Sequence, residues 1–242
     1  MITFEELNAL VGTDDRRYID IDEFFDEMFL SDEDISDRKE FTRELEDELF
    51  NALALLFLFL QFGTETGVET VKGIVERAFL NTVNRFTQAD SELTLYASTF
   101  SENFVDKAVK NAEKYGLFDD SVIMSNDYYR KSAYFFSQVR ARIYAADSAN
   151  AVFNHDEYRL QKALGKSYKK WNTIIDGHER RTHGVVDGTI IPIDELFHVG
   201  EALMRYPHDI EMAGEFPEEI INCRCSAEYL TTEEFKAISR DS

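Results

Sequence analysis

His183, Cys223 and Cys225 are the side chains of this sequence best suited to holding a metal or attacking a carbonyl. Zinc takes Cys and His ligands in a tetrahedral shell, and Asp176, His178 or His208 can supply a fourth. The spacing argues against it. Paired zinc cysteines usually have about two to four residues between them, and here Arg224 alone separates the pair. A Cys/His/Asp hydrolase is a second chemistry, with Cys223 or Cys225 as nucleophile, His183 as base and Asp176 or Asp187 as orienter. No oxyanion-hole motif accompanies that set. A nuclease built on His and Arg near a strand is a third. The plainest reading assigns no catalytic and no cofactor-binding residue, with zinc kept only as a secondary reading. Cys225 is then a small buried hydrophobe, and Cys223 points the other way on a strand. The neighbouring residues form a polar network in which Arg180 and Arg224 offer rigid donor forks to Asp176 and Asp187. Asn222 caps a turn and Gly188 takes a positive φ. Trp171 anchors a small core with its indole N–H on a backbone oxygen. His155, His178 and His198 are expected on the surface.

The elements that must position these residues change character along the chain. Residues 1–165 read as helical. Asp15 to Leu30 is acidic, with apolar positions at Ile19, Ile21, Phe24, Phe25, Met28 and Phe29. Ser36-Asp37 looks like an N-cap, and Glu40 completes a capping box, so a helix is expected over Arg38 to Phe62 with Gly63 stopping it. Helical spacing recurs from Val68 to Phe86 and from Leu93 to Ala112, with Gly116 ending the second run. A fourth helix is expected from about Asn126 to Asn150. Such stripes indicate helix packing. Beyond Gly165 the chain is short-patterned and turn-rich: Asp176-Gly177, Asp187-Gly188, Tyr206-Pro207-His208-Asp209 and Ala213-Gly214. Val185-Val186 and Thr189-Ile190-Ile191 around Asp187-Gly188 predict a β-hairpin. Asp194 to Met204 is expected to be a short helix with Ile193, Leu196, Phe197 and Leu203 inward. The fold class expected is α+β: a mainly α-helical N-terminal region, then a small mixed domain with a β-hairpin.

Composition narrows the partners. The 242 residues include 20 Phe and 11 Tyr, enough apolar material for a sizeable core. The formal charge is −21. Residues 1–48 hold 18 acidic and 5 basic side chains, which leaves −13 there and −8 in the rest. Such a field repels phosphate, so broad DNA wrapping is disfavoured and docking on a basic protein surface is compatible. The run from Ala52 to Leu60, extended by Phe62, is shorter than the roughly 20 apolar residues a bilayer requires, and reads as a core helix. No secretory signal opens the sequence and a Cys-x-Cys disulfide is strained, so a reducing interior is expected.

One ordered series stands out: Lys170-Trp171-Asn172-Thr173 and Asp176, then Arg180 and His183, then Asp187-Gly188, then Tyr206-Pro207-His208-Asp209, closing on Asn222-Cys223-Arg224-Cys225. It resembles the C-terminal domain of the Mu F-like minor head proteins of tailed bacteriophages. Arg140-Ala141-Arg142-Ile143 and Asp147 to Asn150 resemble the helix leading into that domain. Family members often carry Thr-Glu where this chain has Ala146-Asp147. The resemblance spans about residues 140–229 and implies a helical region over 1–150 followed by the minor head domain over 151–242. It implies a structural, non-enzymatic role in head morphogenesis at the portal vertex, with DNA packaging or ejection as a further part. Portal protein and other capsid components are the implied partners, with DNA contact inside the head and no membrane. The implied location is the virion head or procapsid, with synthesis in the host cytoplasm. On this reading Trp171, Asp176, Arg180, His183, Asp187, Gly188, Pro207, Asn222, Cys223, Arg224 and Cys225 are structural motif residues. The readings set against it are a nuclease- or toxin-like effector on the same domain, and a zinc-stabilised interaction module.

Overall fold

The structure is a computed structural model, and it describes residues 2–12, 15, 17–118, 126–212 and 215–241. The Ala213-Gly214 turn expected from sequence lies outside the described residues. The chain divides into two compact units: residues 1–20 with 40–146, and residues 21–39 with 147–242. The class is α+β, with long helices first and short antiparallel strands later.

The first unit is helical. It contains α1 (Phe4–Asn8), most of α3 (Asp32–Gln61), α4 (Glu65–Phe86), α5 (Ser91–Tyr115), α6 (Asn126–Ala133) and the start of α7 (Gln138–Ala163). The second unit holds α2 (Ile21–Asp26) and the remainders of α3 and α7. The apolar stripes do what their spacing predicts. Leu45, Leu49, Leu53 and Leu56 of α3 are buried, as are Val71, Val75, Phe79 and Val83 of α4 and Leu93, Ala97, Phe104 and Ala108 of α5. Aromatic pairs join the stripes, with Phe79 and Phe100 at 5.1 Å and Phe104 and Tyr144 at 5.0 Å between ring centroids.

Two arginines of α7, Arg140 buried and Arg142 half-buried, complete this unit. Arg140 is 1% exposed, lies 4.3 Å over the Phe104 ring, and donates to the carbonyls of Phe104 and Phe135. Arg142 forms a two-pronged pair with Glu46 at 2.9 and 3.0 Å and donates to the Tyr18 hydroxyl.

Two helix boundaries differ from expectation. Helix α3 starts at Asp32, so Ser36 and Asp37 lie inside it. Ser31 is the cap, its hydroxyl accepting from Asp34 N at 3.2 Å, and Asp32, Glu33 and Asp34 suit the positive end of the helix dipole. The helix expected over 126–150 is two helices. A 3-10 turn at Tyr134–Phe136 and an extended Ser137 separate them, and the Ser137 hydroxyl accepts from Arg140 N to start α7.

The second unit adds a three-stranded antiparallel sheet in the order β2 (Ile190–Pro192), β1 (Tyr168–Asn172), β5 (Ser226–Leu230). Trp171 pairs with Ala227, and Lys169 with both Ile191 and Tyr229. A separate two-stranded ladder joins β3 (Phe197–Val199) to β4 (Ala202–Met204). Helices α8 (Arg181–Val186), α9 (Pro217–Ile220) and α10 (Thr232–Asp241) and a 3-10 turn at Ile210–Met212 complete the described elements.

Here two expectations are overturned. Asp187-Gly188 is not a hairpin turn, because Val185 and Val186 end α8, and packing outweighs their β-propensity. Gly188 does take φ 71°. The residues 194–204 form a hairpin and not a helix. Gly200 at φ 61° breaks any helix, and period-2 burial puts Phe197, Val199, Ala202 and Met204 inward. Ile193 is buried as expected, whereas Leu196 and Leu203 are exposed. One core cluster of this unit is Trp171, Val186, Phe197, Val199, Ala202, Met204, Ile220, Cys223 and Cys225, and a second is Tyr158, Ile193, Tyr206 and Tyr229.

Candidate functional site

Strand β1 and helix α8 build one wall of a buried cluster, and the segment between α9 and β5 builds the other. Trp171 is fully buried and crosses Phe197 at 5.2 Å and His183 at 5.7 Å, edge-on in each case. Its indole N–H donates to the Thr173 hydroxyl at 3.0 Å, a side-chain oxygen and not the backbone oxygen expected. That hydroxyl donates on to the His183 carbonyl at 3.1 Å.

His183, Cys223 and Cys225 converge, each no more than 3% exposed. Their ligand atoms lie within 4.8 Å of one another. His183 Nδ1 is 3.3 Å from Cys225 Sγ and 3.7 Å from Cys223 Sγ. The expectation that Cys223 points away on a strand is therefore wrong. The residues 222–225 precede β5, and a turn through Asn222 at φ 57° brings both thiols to one side. A hydrogen bond from the Cys223 thiol to the Cys225 sulfur, with His183 alongside, pulls Cys225 down, and the same contact with burial pushes Cys223 up. On the far side of the ring, Nε2 lies 3.2 Å from Glu219 Oε2 without hydrogen-bond alignment. Thr182 donates to that carboxylate at 2.7 Å. Gly200 makes the approach of Glu219 feasible, since a Cβ there would stand 2.5 Å from Glu219 Oε1.

The remaining motif residues surround this cluster. Arg224 pairs with Asp176, as expected, and holds that carboxylate below its usual range. Arg180 donates to the Ile221 carbonyl and not to Asp187. Asp187 accepts from the backbone N–H of Thr173 at 2.7 Å. Gly188 N–H donates to the Trp171 carbonyl at 2.8 Å, which ties the turn to β1. Asn222 N–H donates to Asp147 Oδ1 at 2.6 Å, so its backbone and not its side chain makes the recorded turn contact. His178 and His198 are exposed, as expected. His155 is 1% exposed, against expectation, and shares a 2.7 Å contact with the Tyr206 hydroxyl.

Sequence reasoning missed the residues that clamp the cysteine segment. Asn150 and Asn154 of α7 are both buried. Asn150 Nδ2 donates to the Cys223 carbonyl at 2.6 Å. Asn154 Nδ2 donates to the carbonyls of Pro207 at 2.9 Å and Cys225 at 3.1 Å. Their oxygens accept from Arg38 at 3.5 and 3.1 Å. Arg38 thereby orients both carboxamides, and burial pulls its guanidinium down to about 10, so it stays charged near neutral pH. The detectable signal was the i, i+4 spacing of Asn150 and Asn154, two polar residues in an otherwise Ala-rich helix face.

The Tyr206-Pro207-His208-Asp209 loop carries its own network. Arg205 and Asp209 form a fork at 2.6 and 2.9 Å, with Asp209 only 1% exposed. Lys169 is buried on the inward face of β1, donates to the Arg205 carbonyl at 2.6 Å, and is pulled down to about 8 by burial. His208 is buried at φ 64°, and its Nε2 lies 3.7 Å from Asp147 Oδ2.

Residues 70–228 match the family model described as Phage Mu protein F like protein. The chain belongs to the Mu F-like family. The match contains every clamp and motif residue from Asp147 to Cys225, with Arg38 alone upstream of it. The family is one of phage head morphogenesis. A curated relative, the NAD(+)–arginine ADP-ribosyltransferase EFV of Enterococcus faecalis, is 34% identical over 82 residues. Those residues are 34% of this chain and 16% of that protein, so the chain spans a small part of its length. A shared stretch of that size carries no activity to this Mu F-like chain. No solved structure matches it. Among the described residues, no helix is long and apolar enough to cross a membrane.

Proposed function

We propose that the protein is a structural minor head protein of a tailed bacteriophage or prophage, acting at the portal vertex in head morphogenesis. The observation that carries this reading is membership of the Mu F-like family over residues 70–228. The site chemistry supports a structural role. Several polar side chains of the second unit are engaged in internal bonds: Asn150 and Asn154 on the cysteine carbonyls, Arg205 on Asp209, Arg224 on Asp176. Portal protein and other head components are the partners in this proposal. A net charge of −21 favours protein contacts over phosphate contacts, which leaves DNA packaging or ejection a subordinate role. Co-expression of tagged protein with the portal protein encoded in the same genome tests it. Stable co-purification that survives nuclease treatment is expected, and its absence across several salt concentrations counts against portal contact.

The similarity to an ADP-ribosyltransferase favours one second reading, an effector enzyme or toxin that shares this domain. Burial of His183, Cys223 and Cys225 weighs against turnover of a polymer at that cluster. Cleavage of RNA or peptide, or ADP-ribosyl transfer, by the purified protein would support this reading. Loss of that activity in His183→Ala would place it at the cluster.

A further inference from the structure

We propose that His183 Nδ1, Cys223 Sγ and Cys225 Sγ are three ligands of a structural zinc ion. The distances carry the argument. Zinc–thiolate and zinc–imidazole bonds of about 2.3 and 2.0–2.1 Å, set at a tetrahedral angle, separate a sulfur from a nitrogen ligand by about 3.5 Å. The two observed Nδ1–Sγ separations are 3.3 and 3.7 Å and bracket that value. The ligand atoms are thus already spaced for a shared ion with little rearrangement.

Three further features fit a metal. The first is charge. Two thiolates neutralise a divalent ion, so the loaded cluster carries no net charge into a core lined by Trp171, Val186 and Ile220. The second is the back of the imidazole. A ligating histidine commonly turns its second ring nitrogen to a carboxylate, which sets its tautomer and basicity. His183 Nε2 faces Glu219 Oε2 at 3.2 Å, and Thr182 holds that carboxylate in place. That nitrogen has no aligned hydrogen-bond partner among the described residues. The third is the frame. The carbonyls of Cys223 and Cys225 are pinned by Asn150 and Asn154, so the short Cys-x-Cys spacing is offset by a preset turn. The ligands come from α8 and from the segment before β5, so one ion would cross-link the two walls of the small core. Zinc is preferred over calcium or magnesium because the set has two sulfurs and one nitrogen and no oxygen.

The full-length protein, purified under reducing conditions without chelator, should contain one zinc per chain by elemental analysis. Stripped of metal and titrated with cobalt(II), it should bind one equivalent and show a thiolate-to-cobalt charge-transfer band with tetrahedral d–d absorption. Chelation should lower the melting temperature, and zinc should restore it. Glu219→Gln should weaken metal affinity about 10- to 100-fold while preserving the cobalt spectrum. Cys225→Ser should remove the charge-transfer intensity of one thiolate; if that variant fails to fold, the wild-type spectrum decides. A reduced, folded wild-type protein that takes up no stoichiometric cobalt overturns the proposal. So does cobalt bound without a thiolate band, or a Cys223–Cys225 disulfide in protein isolated under reducing conditions.

Discussion

His208 shows how a buried polar residue shapes this fold at the scale of a single side chain. It is fully buried, and burial holds its imidazole below the ordinary value, with Asp147 opposing and Arg180 reinforcing the shift. The folded chain therefore binds a proton at His208 less readily than the unfolded chain. The stability this neutral form contributes is present above the unfolded value of about 6.5 and is lost as pH falls through it. In denaturant unfolding between pH 7.5 and 5.5 (about one unit either side of that value), the wild type should lose more stability than His208→Asn. Asn is the suitable replacement because it tolerates the φ of 64° found there. Equal slopes for the two proteins would contradict this account. Gly200→Ala probes a second residue. The added Cβ meets Glu219 Oε1 at 2.5 Å and takes a φ of 61°, so a loss of at least about 1 kcal/mol is expected in chemical denaturation. At this scale the sequence was partly legible. The motif marked Trp171 as the anchor of the small core and Cys225 as buried, but the turn that brings Cys223 to the same side was not legible. The partners of Arg180 and Asp187 were not legible, because a guanidinium fork accepts a backbone carbonyl as readily as a carboxylate.

Among elements, α7 explains most about how the cysteine segment is held. Its Asn150 and Asn154 satisfy three carbonyls of residues that lie outside regular strands, and Arg38 from the start of α3 fixes both carboxamides. Asn154→Ala should cost about 1–3 kcal/mol by leaving buried carbonyls without a donor, measured as a lowered denaturation midpoint. Trp171→Ala should cost about 3–5 kcal/mol, since it removes the largest fully buried side chain of the small core. The long helices were legible because their apolar period extends over many turns. The short elements were not. Three-residue strands such as β3 and β4 carry too few positions to separate period 2 from period 3.6, and only Gly200 signalled the turn between them. Val185-Val186 misled because β-branched residues are tolerated in a short helix whose ends are pinned by Thr173 and Gly188.

The whole molecule comprises a helical unit with an aromatic interior and a second unit whose core is small and heavily cross-bonded. Its excess of acidic charge accumulates over residues 1–48, which suits docking on a basic protein surface better than wrapping DNA. Family membership was legible from the ordered motif over about residues 140–229, whereas the family match reaches back to residue 70, into helices whose apolar periodicity shows packing and no family signature. The proposed role makes this protein a built-in component of the phage head. Quantitative mass spectrometry of purified procapsids and mature particles from the phage or induced prophage tests it most directly. This chain is expected in procapsids at a low copy number relative to the major capsid protein. Its absence from both particles, in a lysate that contains the protein, would contradict the claim.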